Sequence, residues 1–389
     1  MKKKYFIFSI VTLVLFAIVI TCFNYFKNTK NYVEDNTSKP TKITKGISMN
    51  LEQTAGAGDY KTVTQSSWPT KGYKFNAELS RCENGSEISW DDTKKAVIMQ
   101  GNVSDKCYVY FDIWIPLIAD YCSSGIDLAT CVKNFGNQGP DISNIYIHNS
   151  SLDNGAGDNS YRYAGASDIV NNYICLGSNE ATCPEANLFR IIGVFGDQTK
   201  VIRAKSVGNQ KWNTSSSNTW SSSSLNTYLN GTYLTSLGTI ADKIATTTWK
   251  VGGGTYANIS QSVPATAYQY EVGSSASSTT YDAKIGLMYV SDYYYSASPS
   301  AWTLVGYNDD ETKDYRAAKT TNWLYLGSYE WTISRRSDTT TSAFRVTSTG
   351  SVLSGSVASS IAVRPSLNLL SSVKYVSGSG SMSDPVRVN

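Results

Sequence analysis

The chain has 389 residues, with 34 Lys and Arg against 31 Asp and Glu, a single His, and 27 Tyr, 9 Trp and 29 Gly. Five lysines and no acid fall in residues 1–30, which leaves 29 basic against 31 acidic side chains, a charge of −2, on residues 31–389. No basic stripe remains to hold nucleic acid, one imidazole with no C-x-x-C argues against a metal site, and the length suits two domains.

Residues 1–4 carry Lys2, Lys3 and Lys4, and residues 5–26 are 22 uncharged residues followed by Lys27 and Lys30. Roughly 20 apolar residues at about 1.5 Å each cross a hydrocarbon core of about 30 Å. The spacing therefore predicts a transmembrane signal-anchor helix over 5–26, with residues 1–4 in the cytoplasm. The expected location is the cell membrane, single-pass, with the C-terminal domain extracellular. A cleaved signal peptide has a shorter apolar run, about 7–15 residues. A lipoprotein reading through Cys22 meets Thr21 where a small Gly, Ala or Ser is expected.

Residues 27–60 are polar and aperiodic, which predicts a linker. Over 61–114 a small β domain is expected. Tyr73, Phe75, Ala77 and Leu79 alternate with polar neighbours, Asn84-Gly85 offers a tight hairpin turn, and residues 96–99 and 108–111 read as further strands. Residues 115–140 show helical spacing interrupted by Gly125, so two short helices form the connector.

Residues 141–389 form the C-terminal α+β domain. Runs 188–195 and 199–204 flank Gly196-Asp197-Gln198 as a hairpin. The serines of 221–224 cap a helix bearing Leu225, Tyr228, Leu229, Tyr233 and Leu237. Residues 284–290 read as a strand, and 343–347, 351–354 and 361–370 as the last ones.

Cys82, Cys107, Cys122, Cys131, Cys175 and Cys183 lie outside the apolar stretch. An even count in an exported chain implies three disulfides. Six cysteines allow 15 connectivities, of which sequential pairing (82–107, 122–131, 175–183) closes the shortest loops.

Several stretches resemble a family of uncharacterised membrane-anchored surface proteins from low-GC Gram-positive, gut-type bacteria. They include Cys82-Glu83-Asn84-Gly85-Ser86, Asp105-Lys106-Cys107-Tyr108-Val109-Tyr110-Phe111-Asp112, Gly157-Asp158-Asn159-Ser160-Tyr161-Arg162-Tyr163, residues 187–195, residues 284–293 and Val363-Arg364-Pro365. The order of elements in the C-terminal part also resembles a broader bacterial domain of unknown function related to C-type-lectin-like folds. The resemblance implies an α+β fold class: an N-terminal transmembrane helix, a small disulfide-closed β domain and a C-terminal C-type-lectin-like α+β domain. It implies no activity. The chain departs from the broader pattern at Asn322-Trp323-Leu324 and Trp331-Thr332-Ile333-Ser334-Arg335-Arg336.

Catalytic candidates are sparse. His148 has no nucleophile elbow near it and reads as a surface histidine. Asp309, Asp310, Glu311 and Asp314 cluster in one loop, compatible with a glycosidase pair or with a solvated turn. Asp153, Asn154, Asp158 and Asn159 offer oxygen ligands for calcium but lack EF-hand spacing, and a turn is the simpler reading. Rigid aromatics set among small polar residues suit binding loops. Tyr293, Tyr294, Tyr295, Trp302, Tyr307, Trp323, Tyr325, Tyr329 and Trp331 occur in that setting, with Arg335 beside them. The competing reading puts Trp323 and Trp331 in the core. Arg364 in an apolar strand suits a structural ion pair.

The expected function is a membrane-anchored surface binding or adhesion protein recognising a glycan or protein through loops 292–335. Its rivals are a surface hydrolase and a structural envelope component. No cofactor, metal or nucleic-acid partner is expected.

Overall fold

The structure, a computed structural model, describes residues 46–64, 67–69, 72–102, 104–304 and 318–389. The chain divides into two compact units, Met1–Ile115 and Pro116–Asn389.

In the first unit, β1 (Ile47–Glu52), β2 (Tyr60–Val63), β3 (Tyr73–Cys82) and β6 (Cys107–Ile113) form a sheet in the order β2-β1-β6-β3. β4 (Glu87–Asp91) and β5 (Ala96–Gln100) make a separate hairpin. β1 lies inside the stretch expected to be linker. Its alternate residues Met49 and Leu51 are buried, and it pairs in parallel with β6. On β6, Cys107, Val109 and Phe111 point inward at period two, and with Trp68 and Val97 they fill the core. Cys82 and Cys107 face each other across β3 and β6 and are joined by a disulfide.

Asn84-Gly85 makes a turn but not a hairpin, because β3 pairs with β6 while β4 pairs with β5. Asp105 fixes that turn by accepting the backbone N–H groups of Asn84 and Ser86. Burial pushes its carboxyl pKa up, yet these donors outweigh that and hold it at about 2.

The second unit begins with a single 3₁₀ turn, Ile118–Tyr121, and helix α1 (Leu128–Gly136), stapled by Cys122–Cys131. Strands β7 (Ile145–Ile147), β8 (Tyr161–Tyr163), β9 (Tyr173–Cys175), β10 (Leu188–Phe195) and β11 (Gln198–Arg203) follow, and Cys175–Cys183 closes the loop before β10. Next come β12 (Asn209–Lys211) and helix α2 (Ser224–Tyr228), whose N-cap Ser223 accepts the N–H of Asn226. β13 (Thr247–Lys250), helix α3 (Pro264–Glu271), β14 (Thr280–Ala283), β15 (Ile285–Gly286) and helix α4 (Val290–Tyr295) then lead to the C-terminal strands. These are β16 (Glu330–Arg335), β17 (Ser342–Val346), β18 (Val352–Ser356), β19 (Ser360–Ala362), β20 (Ser366–Asn368), β21 (Tyr375–Ser377) and β22 (Val386–Val388).

A nine-stranded sheet runs β15-β20-β11-β10-β9-β22-β21, with β8 also on β10 and β7 on β8. β12, β19, β16, β17 and β18 form a second sheet, and β13 and β14 form a pair. The central β10 is buried along nearly its whole length, as expected of a strand covered on both faces.

The expected architecture is corrected here. Among the described residues strand outweighs helix, 33% to 21%, and the second unit is built from several sheets. The longest α-helix among the described residues, α1, has nine residues, about 13 Å against the roughly 30 Å of a bilayer core. No helix among the described residues is long and apolar enough to cross a membrane. Residues 5–26 lie outside them.

Candidate functional site

A cleft of about 270 Å³ opens in the second unit between β11, β13, α3 and the start of α4. Phe195, Trp249, Tyr268 and Tyr289 form its walls, and Lys200, Arg162, Asp158 and Asp292 meet at its base.

Two glycines make room for it. A Cβ on Gly193 would lie 2.2 Å from the Tyr161 carbonyl oxygen, so only glycine lets β8, which carries Arg162, pack on β10. A Cβ on Gly286 would sit 2.8 Å from the Trp249 indole, and its absence lets that ring lie against β15.

At the base, Lys200 Nζ donates to Asp292 Oδ2 at 2.5 Å, with the two side chains 6% and 2% exposed. The ammonium also faces the rings of Tyr289 at 4.7 Å and of Phe195 and Trp249 at 5.5 Å. Burial lowers the Lys200 pKa and Asp292 opposes that shift. Asp292 belongs to a capping box, its Oδ2 accepting the N–H of Tyr289. Arg162 donates from Nη2 to Asp158 at 2.7 Å and reaches Asp292 with Nη1 at 3.7 Å. Its guanidinium lies over Phe195, Tyr268 and Tyr295. Burial raises the Asp158 pKa, but Arg162 and the Ser160 donors prevail and bring it to about 2. Two cations thus balance two anions.

Glu271, at the end of α3, accepts the N–H groups of Val290 and Ser291 and the hydroxyl of Ser334. It locks α3, α4 and β16 together, and burial raises its pKa.

The aromatic residues expected to contact a ligand are placed in the interior. Tyr293, Tyr294, Tyr295, Trp302, Trp323 and Trp331 are each at most 2% exposed. Their polar ends are spent internally, on the carbonyls of Gly350, Ile259, Asn154, Ala297, Tyr163 and Gln210 respectively. Tyr295 alone touches the site, from behind Arg162. Arg335 is half-buried and donates to Asn218 Oδ1.

Other expectations shift as well. His148 is fully buried rather than at the surface, packs on Tyr295 and Trp302, and accepts the Ala156 N–H at Nδ1. Asn154 and Asn159 take left-handed turn conformations, and Asp158 is engaged by Arg162. Among the described residues, no group of three or more His, Cys, Asp or Glu is arranged to hold a metal. Tyr307, Asp309, Asp310, Glu311 and Asp314 lie outside the described residues. Arg364 makes a buried ion pair with Glu330 at 2.7 Å.

Sequence reasoning missed Lys200, Asp292, Trp249, Tyr268 and Tyr289 as a site. The signal was Lys200 itself, a charge inside a run that otherwise reads as a buried strand.

The first unit carries a groove of about 390 Å³ lined by Pro69, Tyr73, Lys74, Phe75, Trp90, Asp92, Lys95 and Trp114. Phe75 and Trp90 stack there, 17° from coplanar.

No curated protein and no solved structure matches the chain, so the C-type-lectin-like comparison finds no support. Residues 196–371, which include Lys200, Trp249, Tyr268, Tyr289 and Asp292, match the family described as Domain of unknown function (DUF6273).

Proposed function

We propose that this is an outward-facing protein of the cell surface, held at the membrane, that binds a glycan in the cleft of its second unit. The observation that carries the reading is the combination of aromatic walls with a charge-balanced, hydrogen-bonding base. Ring faces of Phe195 and Tyr268, both half-buried at the cleft, suit the C–H faces of sugars, while a neutral base gives no preference for a strongly charged ligand. The volume falls just under the roughly 300–1,000 Å³ of drug-sized sites, which suits one or two sugar rings. A protein partner needs about 800 Å² on each side, far more than this cleft presents. Three disulfides support an oxidising exterior.

The hydrolase reading has less behind it. Asp158 and Asp292 are both committed to cations, and burial together with the Arg162 charge lowers the His148 pKa to about 2, so it holds no proton to give. The groove beside Trp90 in the first unit, with its stacked rings, supports sugar binding there in its own right.

The test is a glycan array probed with the whole chain, followed by titration of any sugar retained. Tyr268→Ala and Lys250→Ala, both at residues that line the cleft, are expected to weaken binding at least tenfold, the first with a lowered melting temperature because the ring packs on Arg162. Turnover of a glycosidase, peptidase or esterase substrate, or a Kd indifferent to both substitutions, overturns the assignment to this cleft.

A further inference from the structure

Five other Lys–carboxylate ion pairs among the described residues, Lys94–Asp91, Lys95–Asp92, Lys106–Glu83, Lys205–Glu185 and Lys374–Asp127, are solvent-exposed at the lysine, 45–62%. Lys200–Asp292 differs in kind. Both side chains are buried, their polar atoms are 2.5 Å apart, three aromatic rings surround the amine, and 92 residues of chain separate the partners. We propose that Lys200 and Asp292 condense into an intramolecular amide, joining Nζ of β11 to Cγ of α4 with release of one water.

The step balances without any further reactant. Proton transfer inside the pair gives a free amine and a carboxylic acid. The amine lone pair then attacks Cγ, and one C–O bond breaks. The departing water takes one carboxylate oxygen and two of the three ammonium hydrogens, and the third hydrogen stays on the amide nitrogen. No group is oxidised or reduced.

Three features of the site favour the step. In water the two ions are strongly hydrated and resist neutralisation, whereas burial removes that hydration and brings the neutral pair within reach. Fixed neighbours react as though at an effective concentration of about 10⁵–10⁸ M, and α4 and β11 hold these two in place through the capping box and the sheet. The N–H of Tyr289, bonded to Oδ2 at 2.8 Å, and the guanidinium of Arg162, 3.7 Å from Oδ1, face the oxygens on which negative charge develops. The cleft supplies an exit for the water.

The cross-link lies at the base of the same cleft and replaces the Lys200–Asp292 charges by a neutral amide, leaving Arg162 and Asp158 as the charged pair there, and its test does not depend on the ligand. Its test is the intact mass of the full chain after denaturation and disulfide reduction, together with a tryptic map. The expected wild-type chain is lighter than its sequence by one water, and the map contains a branched species joining the Lys200 and Asp292 peptides. Lys200→Arg keeps the positive charge and is expected to restore the full mass. A wild-type chain of full mass, cleaved normally after Lys200, overturns the proposal. That wild-type measurement decides the matter even if the variant fails to fold.

Discussion

His148 shows how burial alone sets a residue's behaviour. Burial first, and then the Arg162 charge, lowers its pKa to about 2, whereas an unfolded chain titrates near 6.5. Above about pH 6.5 neither state binds the proton. Below it only the unfolded state does, so stability is lost as the pH falls toward 2. His148→Phe removes that linkage while keeping a ring against Tyr295 and Trp302. The stability of wild type relative to this variant is expected to fall by about 1.4 kcal/mol per pH unit between about pH 6 and pH 4. Urea melts at a series of pH values read this directly, and parallel curves for the two proteins would place the imidazole in water. The sequence offered no way to foresee its burial, since a lone histidine looks the same on either side of a surface. For Trp323 and Trp331 the sequence left two readings, binding loop or core, and the structure puts both in the core. Their indole N–H groups meet carbonyls from residues 163 and 210, more than a hundred positions away. Long-range partners of that kind leave no local trace.

Among the elements, those fixed by neighbouring residues were legible. The β10–β11 hairpin around Gly196, the β17–β18 pair around Gly350 and the Ser223 cap all lie where local pattern places them. Residues 284–290 read as one strand, yet only Ile285–Gly286 pairs with β20. Tyr289 and Asp292 form a capping box, which turns the chain into α4 and so builds half the cleft. Asn84-Gly85 failed as a hairpin because β6, far along the chain, takes the place beside β3. Site geometry depends on one such approach, β8 against β10 at Gly193. Gly193→Ala is expected to force these strands apart, lowering stability by about 1–3 kcal/mol and weakening ligand binding through displacement of Arg162. Thermal melts and titration check both effects. An unchanged melting temperature would mean that the close contact at Tyr161 is not maintained.

At the scale of the molecule, two units with separate cores predict two unfolding events. Calorimetry of the oxidised chain is expected to resolve them, and a single sharp transition would show the units to be energetically coupled. Reduction is expected to weaken both, by about 2–4 kcal/mol for each disulfide lost, because Cys82–Cys107 lies in the first unit and the other two lie in the second. The strand pattern of 73–111 was visible, but β1 was not, since Ile47–Glu52 lies in a polar stretch and its partner β6 is some sixty positions away. Nor was the multi-sheet plan of the larger unit, since its strands are short and pair across great distances.

One of those pairings bears on biogenesis. β22 lies between β9 and β21, in parallel with β9, and its Arg387 contacts Cys175 across 212 positions of chain. The large sheet cannot close until nearly the whole second unit is available, and such non-local closure is slow. A newly made polypeptide therefore leaves the β22 side of β9 bare until its final strands emerge, and that seam is the last of the large sheet to be sealed.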